Sequence, residues 1–237
     1  MLTLSPQHYE KISLSVDVIL LSFYKKESQC IPTQVIYLII RYECMRTLLV
    51  DNHDSFTYNL YHLVKEANEG QGIVHVRNTE CLQNSMLLDY DYIIISPGGG
   101  LPKEHKNLMN IVATTCQSHP VLGICLGHQA LIETFGGKIH KITKPFHGIA
   151  DEIKVIESSK LFKGLPRYFK GARYHSWVAN KSENISCWNV TAVGSDNEIM
   201  AIEHKEKPLF GIQFHPESFV SEYGKQIIKN FYSYANL

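Results

Sequence analysis

The chain is 237 residues long, with 44% hydrophobic and 19% charged residues. That excludes a disordered chain and leaves room for one large domain with an appendage. Lys+Arg and Asp+Glu both number 23, and the missing basic excess and absence of like-charge runs argue against a nucleic-acid binder or a membrane-surface segment.

Residues 1–44 read differently from the rest. Their two apolar runs, 18–24 and 35–40, fall far short of the roughly 20 residues that span a bilayer. Asp17 interrupts the apolar stretch and no small-residue cleavage site follows, which argues against a signal peptide. The expectation is an N-terminal extension of unassigned role, with translation from Met45 as the alternative, and a single domain over 45–237. The six cysteines contain no CxxC pair and no zinc spacing, so a reducing, cytoplasmic setting is expected.

From Met45 onward, short apolar runs alternate with helical periodicity. A strand is predicted over 47–51. Asp54 and Ser55 offer an N-cap for a helix carrying Phe56, Leu60, Leu63, Val64 and Ala67, which Gly70 and Gly72 end. Strands over 73–76 and 93–95 follow, the latter running into Ser96-Pro97-Gly98-Gly99-Gly100. A helix over 105–118, a strand over 120–124 and a helix over 128–135 come next. The pattern then changes to short strand-like pieces at 138–142, 152–157, 172–179, 188–194, 198–203 and 209–214, with a closing helix over 222–235. Such a chain predicts an α/β fold, with an open mixed, mostly parallel sheet flanked by helices.

The strongest local signal is Gly123-Ile124-Cys125-Leu126-Gly127-His128-Gln129. An apolar strand ends, a nucleophile follows and a helix begins, with glycines two residues either side to permit a tight elbow. Such a turn exposes the sulfur. It also aims the N–H of Leu126 and the helix N-terminus at the reacting atoms, favouring a thiolate and an oxyanion. A buried structural cysteine in a Gly-bounded turn is the competing reading of this block alone.

A thiol nucleophile needs a base, and the base needs an orienting group. His215-Pro216-Glu217 follows an apolar strand and supplies both. Both signals fall at strand C-termini, where open α/β sheets place their ligand crevice. The Gly98–Gly100 loop, also after a strand, suits an oxyanion-binding loop. It lacks the Lys-Ser/Thr of a phosphate-binding loop. Tyr174-His175-Ser176-Trp177 alone reads as a half-buried strand. Metal-ligand spacings are absent, and no cofactor is expected in this chain.

These blocks carry a resemblance. Asp51-Asn52-His53-Asp54-Ser55-Phe56-Thr57-Tyr58-Asn59, Ser96–Gly100, Gly123–Gln129, His147-Gly148, Tyr174–Ser176 and Gln213-Phe214-His215-Pro216-Glu217-Ser218 occur in order across 45–237. The segment resembles the class I (triad-type) glutamine amidotransferases. More narrowly, it resembles the glutaminase subunits of para-aminobenzoate (aminodeoxychorismate) synthase and anthranilate synthase. The resemblance implies their flavodoxin-like fold and a Cys125–His215–Glu217 triad that hydrolyses glutamine through a thioester. It implies that Leu126 and Gly98, Gly99 and Gly100 stabilise the oxyanion, and that Gln129, Ser176 and Trp177 hold the amino-acid end of glutamine. The ammonia would pass to a chorismate-binding synthase subunit, and Mg²⁺ would belong to that partner. The run from Met45 to Asn52, with Phe146-His147-Gly148, Glu203-His204 and Glu222-Tyr223-Gly224, leans toward the para-aminobenzoate branch. Anthranilate synthase component II, or a subunit shared by both pathways, is the alternative. A γ-glutamyl cysteine hydrolase and a non-catalytic regulatory subunit are more distant alternatives.

Three positions depart from the family pattern. Gly99 replaces the usual Pro, which predicts a freer, less pre-organised loop. Trp177 replaces the usual Leu, and Ile149 stands where Lys or Arg is usual.

Overall fold

The computed structural model describes residues 45–70, 72–183 and 185–235. The reading of residues 1–44 lies outside the described residues. Met45–Leu237 form one compact unit.

Five strands build the parallel half of the main sheet: β1 (Arg46–Asp51), β2 (Ile73–Asn78), β3 (Tyr92–Ile95), β4 (Val121–Ile124) and β11 (Leu209–Ile212). Four further strands extend it in antiparallel fashion: β6 (Ile149–Val155), β7 (Tyr168–Arg173), β9 (Trp188–Val193) and β10 (Ile199–His204). The order across this nine-stranded sheet is β2-β1-β3-β4-β11-β10-β9-β6-β7. A separate two-stranded sheet pairs β5 (Ile139–Lys141) with β8 (Trp177–Ala179). The open mixed α/β sheet is the one expected.

The strands of the parallel half are apolar because helices cover both faces. Alternate residues therefore enter different cores. Leu49, Tyr92, Ile94, Leu122, Ile124, Phe210 and Ile212 pack on one side with α1 (Thr57–Ala67) and α5 (Gly224–Ala235). Leu48, Val50, Ile93, Ile95, Val121 and Leu209 pack on the other side with α3 (Leu108–Ser118) and α4 (Leu126–Thr134). Each fully buried Leu or Ile contributes roughly 1.5–3 kcal/mol relative to exposure.

Several boundaries differ from the sequence reading, each for a local reason. The helix expected over 105–118 starts at Leu108, because Pro102–Glu104 forms a separate 3-10 turn. The helix expected over 128–135 starts directly after Cys125. The piece expected over 172–179 is two strands in different sheets, β7 and β8. Asp54 and Ser55 do not cap α1. Phe56 is its N-cap, and Asp54 Oδ1 instead accepts the Phe56 N–H at 2.8 Å. A short helix, α2 (Asn84–Leu87), carried no periodicity long enough to read. No helix among the described residues is long and apolar enough to cross a membrane.

Candidate active site

Cys125 sits between β4 and α4 at φ 50° and ψ −98°, a region disfavoured for any side chain. Strain of this kind costs on the order of 1–3 kcal/mol and persists where the surroundings enforce it. Here the flanking glycines permit it, and the backbone bonds on either side of Cys125 hold it. A Cβ on Gly123 would fall 2.5 Å from the Gly127 carbonyl carbon and 2.7 Å from the His128 nitrogen. A Cβ on Gly127 would lie 2.6 Å from the Ile95 carbonyl oxygen. Only hydrogen fits at either position. The Cys125 N–H donates to Ile212 O at 2.8 Å, and its carbonyl accepts from Gln129 N at 3.1 Å. The elbow is thereby tied to β11 on one side and to the first turn of α4 on the other.

Strand β11 delivers the second group. β4 and β11 pair in register, with Ile124 opposite Ile212, so Cys125 and Gln213 leave neighbouring strands together. His215 follows two residues later, and its N–H donates to Ala172 O at 2.9 Å. The His215 Nδ1–H donates to Glu217 Oε1 at 2.7 Å, with both side chains almost fully buried. This bond fixes the proton on Nδ1 and leaves Nε2 outside the pair. Burial alone would lower the basicity of His215. The charge and contact of Cys125, together with Glu217, outweigh it and hold the imidazole well above the ordinary histidine range. His215 Nε2 and Glu217 Oε2 are buried with no conventional hydrogen-bond partner among the described residues.

The loop beside the thiol is fixed from several sides. A Cβ on Gly98 would lie 2.5 Å from Leu126 Cδ2 and 2.9 Å from Asn52 Cβ, so Gly98 lies tight against the elbow. Asn52 N–H donates to Ser96 Oγ at 3.0 Å, and Asn52 Nδ2 donates to Ser96 O at 2.9 Å. Gly100 adopts φ 72°, and Glu104 Oε2 accepts the Leu101 N–H at 2.8 Å. Gly99 itself has open space around it, with nothing within 4 Å of where a Cβ would sit. Its carbonyl accepts a hydrogen bond from His105 Nε2 at 2.6 Å, so a side chain supplies the restraint a proline ring would otherwise give.

The remaining sequence-predicted residues converge on the same place. Gln129 Nε2 donates to Trp177 O at 2.9 Å and to Gln213 Oε1 at 3.3 Å. Gln213 Nε2 in turn lies 3.5 Å from Cys125 Sγ. Ser176 lies in the connection between β7 and β8, where its carbonyl accepts from Ile142 N at 2.9 Å. Thus Cys125, Leu126, Gln129, Trp177 and the 98–100 loop are brought together, with Ser176 adjacent to Trp177 in the chain.

Four residues of the site were not read as functional from the sequence: Gln213, Asp54, Phe56 and Tyr174. The Phe56 and Tyr174 rings stand against the imidazole of His215, with centroids 5.9 and 4.9 Å away. Asp54 is half-buried and close enough for its ionisation to feel both His215 and Glu217. Burial is the main force raising its pKa, opposed by the Phe56 N–H and by His215. All four lie in blocks already noted, but nothing in a one-dimensional pattern says that these blocks meet.

Beside His175 lies an ionic cluster built on a buried guanidinium. Arg173, fully buried, pairs with Asp151 at 2.6 Å and Asp196 at 2.8 Å, and its guanidinium carbon sits 3.5 Å from the Phe146 ring centroid. Its Nε–H donates to His175 Nε2 at 3.0 Å, so His175 is the acceptor and neutral. Burial, then the Arg173 charge, pushes the His175 pKa down to about 3. No group of three or more His, Cys, Asp or Glu residues among the described residues is placed to hold a metal ion.

Residues 48–235 match the family model described as glutamine amidotransferase class-I. The chain is similar to an anthranilate synthase component 2 of Methanothermobacter thermautotrophicus, at 40% identity over 192 residues, covering 78% of this chain and 96% of that protein. It is also similar to the aminodeoxychorismate/anthranilate synthase component 2 of Bacillus subtilis, at 35% identity over 184 residues, covering 78% and 94%. Among solved structures, a glutamine amidotransferase from Thermotoga maritima shares the fold with a TM-score of 0.63 at 15% identity, covering 81% of this chain and 84% of that one.

Proposed function

The chain belongs to the class I glutamine amidotransferases, and from that premise we propose that it hydrolyses glutamine and supplies the ammonia to a chorismate-binding synthase subunit. The observation that carries this reading is the strained Cys125 elbow set beside the buried His215–Glu217 pair, at the ends of adjacent parallel strands.

In this mechanism the Cys125 sulfur attacks the carboxamide carbon of glutamine. His215 takes up the thiol proton, and Glu217 stabilises the resulting imidazolium. The Leu126 N–H and amides of the 98–100 loop stabilise the oxyanion. Collapse of the tetrahedral adduct breaks the C–N bond, and His215 returns its proton to the departing ammonia. Water, with His215 as base, then cleaves the thioester and releases glutamate. Gln129, Ser176 and Trp177 hold the amino-acid end of the substrate. Gln213 joins them, because it bridges Gln129 and the sulfur.

The amination itself is assigned to the partner, which would hold chorismate and Mg²⁺ in the cytoplasm. The relatives named here include an anthranilate synthase component and one named for both products, so the product follows from the partner engaged. The test is capture of a C-terminally tagged chain with its partner from the native host, followed by glutamine, chorismate and product identification. Anthranilate, aminodeoxychorismate or both would each support the reading and fix the pathway. A captured complex that releases no glutamate and aminates no chorismate would overturn it.

A further inference from the structure

Glu217 lies two residues from His215 on the same turn. The Nδ1–Oε1 bond therefore locks the two side chains to each other but cannot fix them relative to Cys125. The His215 backbone is held, through its N–H to Ala172 O and through its carbonyl, which accepts from Ser221 Oγ at 2.5 Å. The ring still needs restraint from outside its own turn.

Two other segments provide it. Phe56, from the loop between β1 and α1, meets the imidazole at an interplanar angle of 72°. Tyr174, from the connection after β7, meets it at 63°. The two aromatic rings also pack on each other, with centroids 5.1 Å apart. Each is itself seated. Gly148, at φ 71°, leaves room for Tyr174, since a Cβ there would lie 3.1 Å from Tyr174 Cε1. Phe56 is held by its N–H to Asp54, and Thr57 Oγ1 donates to Asp51 Oδ1 at 2.7 Å. The same loop carries Asn52, which grips Ser96 at the base of the 98–100 loop. Both rings are only partly buried, so they contribute less to the core than their size suggests.

We propose that Phe56 and Tyr174 are positioning residues that hold the imidazole plane of His215, keeping Nε2 directed at the Cys125 sulfur. This rests on the triad reading above. An imidazole free to rock about its bond to Glu217 would lose the alignment that proton transfer requires, and misplacement by about 1 Å can cost on the order of 100-fold in rate. The groups that set the titration of this site are Cys125, Glu217 and Asp54, with neutral His175 and the Arg173 charge beyond it.

The experiment uses the chain captured with its synthase partner. F56L, Y174L and Y174F are compared with H215N and C125S. The readouts are kcat and KM for glutamate release, the pH profile of Cys125 alkylation by iodoacetamide, and thermal melting. F56L and Y174L are expected to lower kcat about tenfold or more, with KM changed less than about twofold. Their alkylation curves should move to higher pH, because a misaligned imidazole stabilises the thiolate less. Y174F, which keeps the ring, should recover most of the activity and the wild-type alkylation curve. If F56L and Y174L keep the wild-type kcat and alkylation curve while H215N is inactive, the positioning role is wrong and the triad reading stands. A rise in KM at constant kcat would instead make the rings part of the glutamine site and overturn the proposal. Full activity in H215N would remove the triad reading itself.

Discussion

The two halves of the sheet are built on different physics. The parallel half, from β2 to β11, is held by apolar burial on both faces and presents its chemistry at strand ends. The antiparallel half, from β10 to β7, buries a guanidinium between two carboxylates and an aromatic ring. They join where β11 pairs with β10, and His215, just beyond β11, bridges back to Ala172 on β7, so it hangs between a hydrophobic scaffold and an ionic one. The first half makes the elbow and the second holds what faces it. Chemistry and stability should therefore respond separately to substitutions in the two halves.

The largest effect is expected from C125S in the parallel half. Partner-stimulated glutamate release should fall by roughly 10⁴-fold, with melting temperature nearly unchanged. Undiminished release would show that the elbow does not carry the nucleophile. In the antiparallel half, R173L should cost about 3–5 kcal/mol of stability, because it leaves the buried Asp151 opposite no cation and strips the more exposed Asp196 of its partner. Urea unfolding measures this, and an unchanged midpoint would mean that the cluster is not a structural anchor.

G127A should cost roughly 1–3 kcal/mol and reduce activity with it, since the new methyl group presses on the Ile95 carbonyl. Activity lost without any loss of stability would show that the elbow moves while the sheet does not.

Acid pH separates the halves through two neutral histidines. His128 on α4 is pushed down to about 3 by burial, and His175 to about 3 by burial and Arg173. Between roughly pH 6.5 and 3 the unfolded chain binds protons that the folded chain refuses. Stability should then fall with falling pH, by about 1.4 kcal/mol per unit for each histidine. His215 has the opposite sign. Its raised pKa gives stabilisation fully present below the unfolded value and lost as pH rises through the folded one, so it does not offset the acid slope. H128L and H175Q should each flatten the slope by their own share. Urea midpoints at pH 6, 5 and 4 would show whether either histidine contributes nothing.

The smallest effect is expected at Gly99, where a Cβ meets nothing within 4 Å. G99P should change stability by less than about 1 kcal/mol. Because proline has no N–H, unchanged glutamate release would assign the oxyanion donor to Gly98 or Gly100, whereas a large loss would assign it to Gly99.

The parallel half was largely legible in the sequence because its determinants are local. A buried strand is a short apolar run, and the elbow needs Gly, Cys and Gly at fixed offsets. His215 was legible because it follows the apolar run read over 209–214, of which 209–212 is strand β11. The antiparallel half was not. Arg173, Asp151 and Asp196 carry no local signal in the sequence, and only the pairing of β6 with β7 and the turn after β9 bring them together. The single piece expected over 172–179 hid a change of sheet, because alternation of side chains continues across the break. The place of Phe56 and Tyr174 beside His215 was illegible for a related reason. An aromatic residue beside a predicted helix or strand signals core packing, and nothing local reports that its neighbour is the His215 imidazole.

The in-register pairing of β4 and β11 has a kinetic consequence. Cys125 and the segment leading to His215 emerge from adjacent strands whose backbone amides, including that of Cys125, are bonded across the sheet's centre. Such amides exchange with solvent only when the whole unit opens. Thermal inactivation of glutamine cleavage should therefore track global unfolding, with no earlier phase in which the protein stays folded but the nucleophile and base have drifted apart.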